Sequence, residues 1–159
     1  MTDVRVGLGF DSHDRDASRP LRLGGLEFAG EPGLSGHSDG DVVCHALADA
    51  LFGAGALGDI GRHFPDTDPA IAGIAGRELL ARVVSILADA GYEPASCDLV
   101  VIADRPQIGD RRDEMRSSLS GALGVGTDAV SVKATRPEGL SLSGEGIACM
   151  AIATIRRRG

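Results

Sequence analysis

From Val4 to Phe10 the chain is apolar, broken only by Arg5 and two glycines, and it then turns abruptly polar in Asp11-Ser12-His13-Asp14. This pattern predicts a strand with a polar end. PLRLGGLEF, Pro20 to Phe28, alternates well enough for a second strand or one arm of a hairpin. Gly30 to Gly36 reads as a turn-rich loop. Apolar residues then recur at 43, 46, 47, 50 and 51, a helical spacing. Ser38, with Asp41 three residues on, resembles a capping box that opens this helix, and Gly53, Gly55 and Gly58 close it. Arg62–Pro69 is a polar loop. Gly76–Tyr92 is an amphipathic helix stopped by Gly91, and Cys97–Asp104 is a buried strand. Asp110–Leu123 is a third helix, Ala129–Thr135 a strand, and Gly146–Arg158 a long final strand with a basic end.

The order β-β-α-α-β-α-β-β predicts a single domain over 1–159, an α+β two-layer fold. It has one four- to five-stranded mixed sheet with helices on one face. The last strand, IACMAIATI, is apolar on both faces, so the second face of the sheet needs a cover. No further helix is left to supply it, which points to other copies of the chain.

Composition narrows this picture. Aromatics make up only 3% and Trp is absent, so the core is aliphatic. A net charge of −7 argues against nucleic acid and anionic membrane as partners. It leaves room for a small phosphorylated ligand held by local cations, metals and amides. No stretch approaches the roughly 20 apolar residues of a membrane span. The start MTDVRVGLGF lacks the basic and apolar regions of a signal peptide. Cys44, Cys97 and Cys149 lie in apolar runs without a C-x-x-C pair, which suits buried thiols in a reducing cytoplasm.

Asp11 and His13 are two residues apart, so along a strand their side chains share one face. With His45 they would form a His₂Asp set of the kind that binds catalytic zinc and leaves a fourth position open. Spacing alone leaves this and a chance pairing both standing. His37, Ser38 and Asp39 precede a helix N-terminus, which suits a phosphate but also describes ordinary caps. The loop GDIGRHFPDTDP carries Asp59, Asp66 and Asp68. VKATRPEG ends a strand in Lys133, Thr135, Arg136 and Glu138, a set suited to a diphosphate and its Mg²⁺ or to a polar turn.

Four motifs taken together are more specific: GFDSH, HSDGDVVCHALADALFGAGALGDIG, FPDTDP and VKAT…E…GEGIAC. Through them the chain, from about Val4 to Ile155, resembles the 2-C-methyl-D-erythritol 2,4-cyclodiphosphate synthase family of the non-mevalonate isoprenoid pathway. The resemblance implies a homotrimer with active sites between subunits. It implies zinc on Asp11, His13 and His45, and Mg²⁺ or Mn²⁺ on Glu138 between the phosphates of a cytidine diphosphate substrate. Ala103, Pro106, Gln107 and Ile108, within ADRPQIG, match the cytidine pocket. His37, Ser38, Asp59, Gly61 and Asp66 match positions near the methylerythritol moiety and its 2-phosphate. Lys133, Ala134 and Thr135 match the stretch near the diphosphate, and Thr135 is grouped with the catalytic residues. The implied reaction is intramolecular: the substrate's 2-phosphate attacks its own β-phosphorus and CMP leaves.

The chain departs from that pattern in two places. Arg136 replaces a hydroxyl residue and is either a phosphate contact or a solvent-facing side chain. The stretch Gly139–Ala148 is shorter and lacks an arginine that relatives place near the trimer axis. An isoprenoid diphosphate is therefore not expected in a central cavity. These departures motivate an alternative: a trimeric nucleotide- and metal-binding protein of the same fold with reduced or lost turnover. A general metal-dependent phosphohydrolase is a third reading, which would need an activated water and a base.

Overall fold

The computed structural model describes residues 3–139 and 146–159. The described residues form six strands and four α-helices: β1 (Val4–His13), β2 (Arg15–Leu23), β3 (Leu26–Leu34), α1 (Val42–Gly55), a one-turn α2 (Ile60–His63), α3 (Gly76–Asp89), β4 (Tyr92–Ile102), α4 (Arg112–Leu123), β5 (Val130–Thr135) and β6 (Ile147–Arg157). Four strands form a mixed sheet in the order β1-β6-β4-β5, with only β4 and β5 parallel neighbours. The helices pack on one face of it, α1 against β1 and β6, α3 against β4 and α4 against β5.

The expected second strand is in fact the centre of a hairpin. Gly24 and Gly25, both at positive φ, turn PLRLGGLEF back on itself, and β2 and β3 pair as a separate two-stranded ribbon. The region expected to be a loop, Gly30–Gly36, is largely the second half of β3. Pro20 and Pro32 face each other in this ribbon and the register slips beside Pro20, so its ladder is irregular and does not extend the main sheet. Leu21, Leu23, Phe28 and Leu34 still reach the core from it.

β4 begins at Tyr92, five residues before the expected start, because a register shift between Pro94 and Ser96 absorbs the proline. The polar loop at 62–69 holds the end of α2, and a 3₁₀ turn follows at Pro69–Ile71.

The cap of α1 is also corrected. Asp41, not Ser38, caps it, and its fully buried carboxylate accepts from Val43 N and Cys44 N. The same carboxylate accepts from Gly24 N at 2.8 Å and Gly25 N at 2.6 Å, so it fastens the hairpin turn to the helix start. Four N–H donors and the positive helix end compensate the buried charge. All three cysteines are free and buried, and burial pushes the Cys97 thiol up to about 12.

α1 is buried all round except at Asp49 and Gly53. It sits this close to the sheet because β1 presents no side chain there. Val4, Val6, Leu8 and Phe10 point to the opposite face and are 48% to 67% exposed, while Gly7 and Gly9 face the helix. A Cβ on Gly9 would run into the Ala46 carbonyl, and one on Gly7 into that of Ala50. Exposed Met150 and Ile152 of β6 continue the open apolar face beside Phe10 and Leu8.

Gly9→Ala should therefore lower stability by about 1–3 kcal/mol by pushing helix from strand. Gly109→Ala, whose Cβ meets nothing within 4 Å, should be near neutral. Denaturant midpoints of the two variants check this pair.

Candidate active site

Asp11 and His13 lie on the face of β1 that carries Gly7 and Gly9, at the strand's C-terminal end. Because the glycines admit α1 so closely, the first turn of that helix brings His45 onto the same two residues. Asp11 Oδ2 lies 2.9 Å from His13 Nε2 and 3.1 Å from His45 Nδ1, and the two ring nitrogens are 3.2 Å apart. Donors held about 2.0–2.1 Å from one tetrahedral ion are about 3.3 Å apart, so this triangle is within a few tenths of an ångström of one face of a zinc site. Among the described residues these three form the group that meets the donor requirement for a metal ion.

The electrostatics favour an anionic Asp11. Burial raises its pKa, but hydrogen bonds to His13 and His45 and their charges outweigh it and hold the group at about 2. His45 is disfavoured as a cation by burial, yet the Asp11 hydrogen bond and the charges of Asp11, Asp41 and Asp39 raise its pKa overall. On its far side, His45 Nε2 lies 2.7 Å from Ser38 Oγ. Were Nδ1 to ligate a metal, Nε2 would carry the proton and donate to that hydroxyl, which would fix tautomer and ring plane.

The triad opens into a cavity of about 280 Å³. Its polar rim adds His37, Ser38, Gly61 and Asp66, and its floor is apolar, with Ile60, Phe64, Ile71, Ile74 and Leu79. His37 Nε2 and Asp66 Oδ2 are 3.8 Å apart, both largely exposed. Asp59 lies outside the lining, where it caps α2 by accepting from Arg62 N at 3.0 Å. Asp49 is a lining residue that the sequence reading missed. It stands one helical turn after His45, the available signal, and accepts from Ile60 N at 2.7 Å, tying α2 to α1.

A second cavity, about 250 Å³, gathers Ala103, Pro106, Gln107 and Ile108 from the segment after β4 with Ala134, Thr135 and Arg136 from the end of β5. The parallel pairing of Ile102 with Thr135, and Ala103 N donating to Thr135 O at 3.1 Å, hold these two walls together. Arg136 is thus a lining residue of this cavity. Lys133 is not: its Nζ pairs with Asp98 Oδ2 at 2.6 Å. Glu138 is exposed, has a left-handed backbone (φ 50°), and lines neither cavity. Most of the shortened stretch before β6, 140–145, lies outside the described residues. β1, β4 and β5 run in the same direction, so both cavities open at one end of the sheet. Two to three strand spacings, roughly 10–14 Å, separate them.

Residues 4–156 match the model of the YgbB family. A 2-C-methyl-D-erythritol 2,4-cyclodiphosphate synthase of Symbiobacterium thermophilum is 51% identical over 96% of this chain and 99% of its own. Among solved structures, the bifunctional IspDF of Campylobacter jejuni superposes with a TM-score of 0.93 at 35% identity, over 99% of this chain and 43% of that one. A CDP-bound 2C-methyl-D-erythritol-2,4-cyclodiphosphate synthase does so at 0.87 and 36%, over 95% of this chain and 99% of that one. The matched span runs from β1 into β6 and takes in the triad and both cavities: the chain belongs to the YgbB family.

Proposed function

We propose that the chain is a 2-C-methyl-D-erythritol 2,4-cyclodiphosphate synthase, a phosphorus–oxygen lyase of isoprenoid biosynthesis. It cyclises 4-diphosphocytidyl-2-C-methyl-D-erythritol 2-phosphate. An oxygen of the 2-phosphate bonds to the β-phosphorus, the bond from that phosphorus to the bridging oxygen breaks, and CMP leaves. The observation that carries this reading is the Asp11–His13–His45 donor triangle opening into a cavity, in a chain 51% identical to a protein of that name.

The substrate brings its own nucleophile, so the protein's work is folding it back and balancing charge. No thiolate is on offer, since burial raises the pKa of each cysteine. Asp11, His13 and His45 would hold zinc, which when bound supplies positive charge to a phosphate oxygen. Glu138 would hold Mg²⁺ or Mn²⁺, a hard cation suited to a carboxylate and phosphates. His37, Ser38, Gly61 and Asp66 would position the methylerythritol phosphate, with Asp59 setting the α2 turn beside it. Ala103, Pro106, Gln107 and Ile108 would receive the cytidine. Ala134, Thr135 and Arg136 would take the diphosphate, with Lys133 nearby on β5.

The two cavities belong to one substrate if copies of the chain bring them together, and a homotrimer does so. The open apolar face of β1 and β6 supports it: Val4, Val6, Leu8, Phe10, Met150 and Ile152 need a cover. Three buried free thiols suit a cytoplasmic location.

The deciding experiment incubates the protein, zinc retained and Mg²⁺ added, with the cytidine substrate and follows it by phosphorus NMR. Equal amounts of CMP and cyclic diphosphate are expected. A metal-loaded protein that binds the nucleotide and leaves the substrate unchanged would make it a binding protein instead. His45→Ala should lose its zinc and cut cyclisation by roughly a thousandfold, the several kcal/mol a bound cation supplies. Its far-ultraviolet dichroism should stay unchanged, and metal analysis checks the zinc. Glu138→Gln should raise the Mg²⁺ concentration needed for half-maximal rate; an unmoved titration curve would remove Glu138 from the metal assignment.

A further inference from the structure

The segment Ser35–Gly40 carries Ser38, the hydroxyl that orients His45, between glycines at both ends. Gly36 and Gly40 adopt φ of 151° and 75°, conformations that leave the segment little intrinsic stiffness. Its flanks are tied by the backbone: Ser35 N donates to Asp14 O at 3.0 Å and Asp39 N to Ile74 O at 3.2 Å. Gly73 N donates to His37 O at 3.0 Å. The carbonyls on either side, those of Gly36 and Ser38, both accept from the guanidinium of Arg19 in β2. One planar fork thus holds two carbonyls two residues apart, a geometry that Lys, a point donor, cannot reproduce.

We infer that Arg19 is a positioning residue for the metal site, acting from the hairpin through Ser38 on His45. The chain of contacts is continuous: the Arg19 guanidinium to Ser38 O, Ser38 Oγ to His45 Nε2, and His45 Nδ1 into the donor triangle. The hairpin end of this chain is itself anchored. Asp41 grips the Gly24–Gly25 turn from the start of the same helix that bears His45. A displacement of Ser38 by part of an ångström would free the His45 ring to rotate and its tautomer to change. The inference rests on the zinc reading above. It assigns Arg19 no contact with substrate.

The test is zinc affinity, measured by chelator competition on the purified protein, together with the visible spectrum of the cobalt(II)-substituted form. Arg19→Ala and Ser38→Ala should each bind zinc about tenfold more weakly, the lower end of what loss of an outer-shell partner costs. The cobalt(II) bands of both should shift from those of the unsubstituted protein. The double variant should be no weaker than the weaker single one, because Arg19 acts through a hydroxyl already removed. Arg22→Ala removes only the surface pair with Glu27 on the same hairpin and should leave zinc affinity unchanged.

Unaltered zinc affinity in Arg19→Ala would overturn the proposal. So would fully additive losses in the double variant, or an equal loss in Arg22→Ala, which would reveal general loosening of the hairpin. His45→Ala separates this from failure of the zinc reading. If it still binds zinc as the unsubstituted protein does, the metal assignment itself is wrong; if it loses zinc while Arg19→Ala does not, Arg19 alone is struck out.

Discussion

The site depends on how closely one helix can approach one strand. β1 gives α1 two glycines in place of side chains, so backbone meets backbone, with Ala46 and Ala50 as the helix's own small residues at the contact. Strand and helix run in opposite senses here: Gly7 faces Ala50 and Ala54, and Gly9 faces Ala46 and Ala50. Two further steps along β1 reach Asp11 and His13 as the helix reaches His45. A larger residue at 7 or 9 would open this angle and separate Asp11 from His45 before it touched any metal donor. The same alternation sends every apolar residue of β1 to the other face. The arrangement that builds the site therefore also creates the surface that calls for a partner.

A second constraint fixes the helix along its axis. Asp41 is fully buried, and the cost of burying a carboxylate is met by N–H groups from two elements distant in sequence. It therefore joins the β2–β3 hairpin to α1 with directional bonds, and losing any one of them weakens the compensation of a buried charge. Asp39, two residues earlier, does a similar task for the start of α3 by accepting from Gly76 N at 2.8 Å. Asp39, which the sequence sets beside phosphate chemistry, and Asp41, which it sets in a helix cap, both hold elements together.

The triad, the α1 and α3 helices, the final strand and the α+β class were legible because each rests on local periodicity or on a short motif. The hairpin turn is hidden because Gly24-Gly25 lies inside a run whose apolar positions continue through it, so the run reads as one strand or one arm. For Ser38 the spacing suggests a cap and the family motif a site residue, because caps and site hydroxyls share one sequence signature. Only the tertiary placement of His45 tells them apart. Arg19 carried no signal, because its target is two backbone carbonyls and carbonyls leave no trace in a sequence. Lys133 shows the converse. Its place in a strand beside Ala134 and Thr135 suggests a shared ligand, yet only those two line the second cavity, and Asp98 claims the Lys133 ammonium.

Charge gives the remaining step. The chain carries a net −7, and the cavity proposed for the phosphate is bordered by Asp11, Asp49 and Asp66. With Asp11 held at about 2, that group is anionic at any physiological pH. Left to its own side chains, such a cavity repels a phosphate. A divalent ion held by the triad would reverse the sign of charge at Asp11, and it would do so where the donors already point, so little reorganisation would accompany it. The acidity that looks opposed to a phosphorylated substrate is thus the feature that recruits the cations such a substrate needs. The second cavity differs in carrying a cation of its own: Arg136 lines it beside a single carboxylate, Asp104.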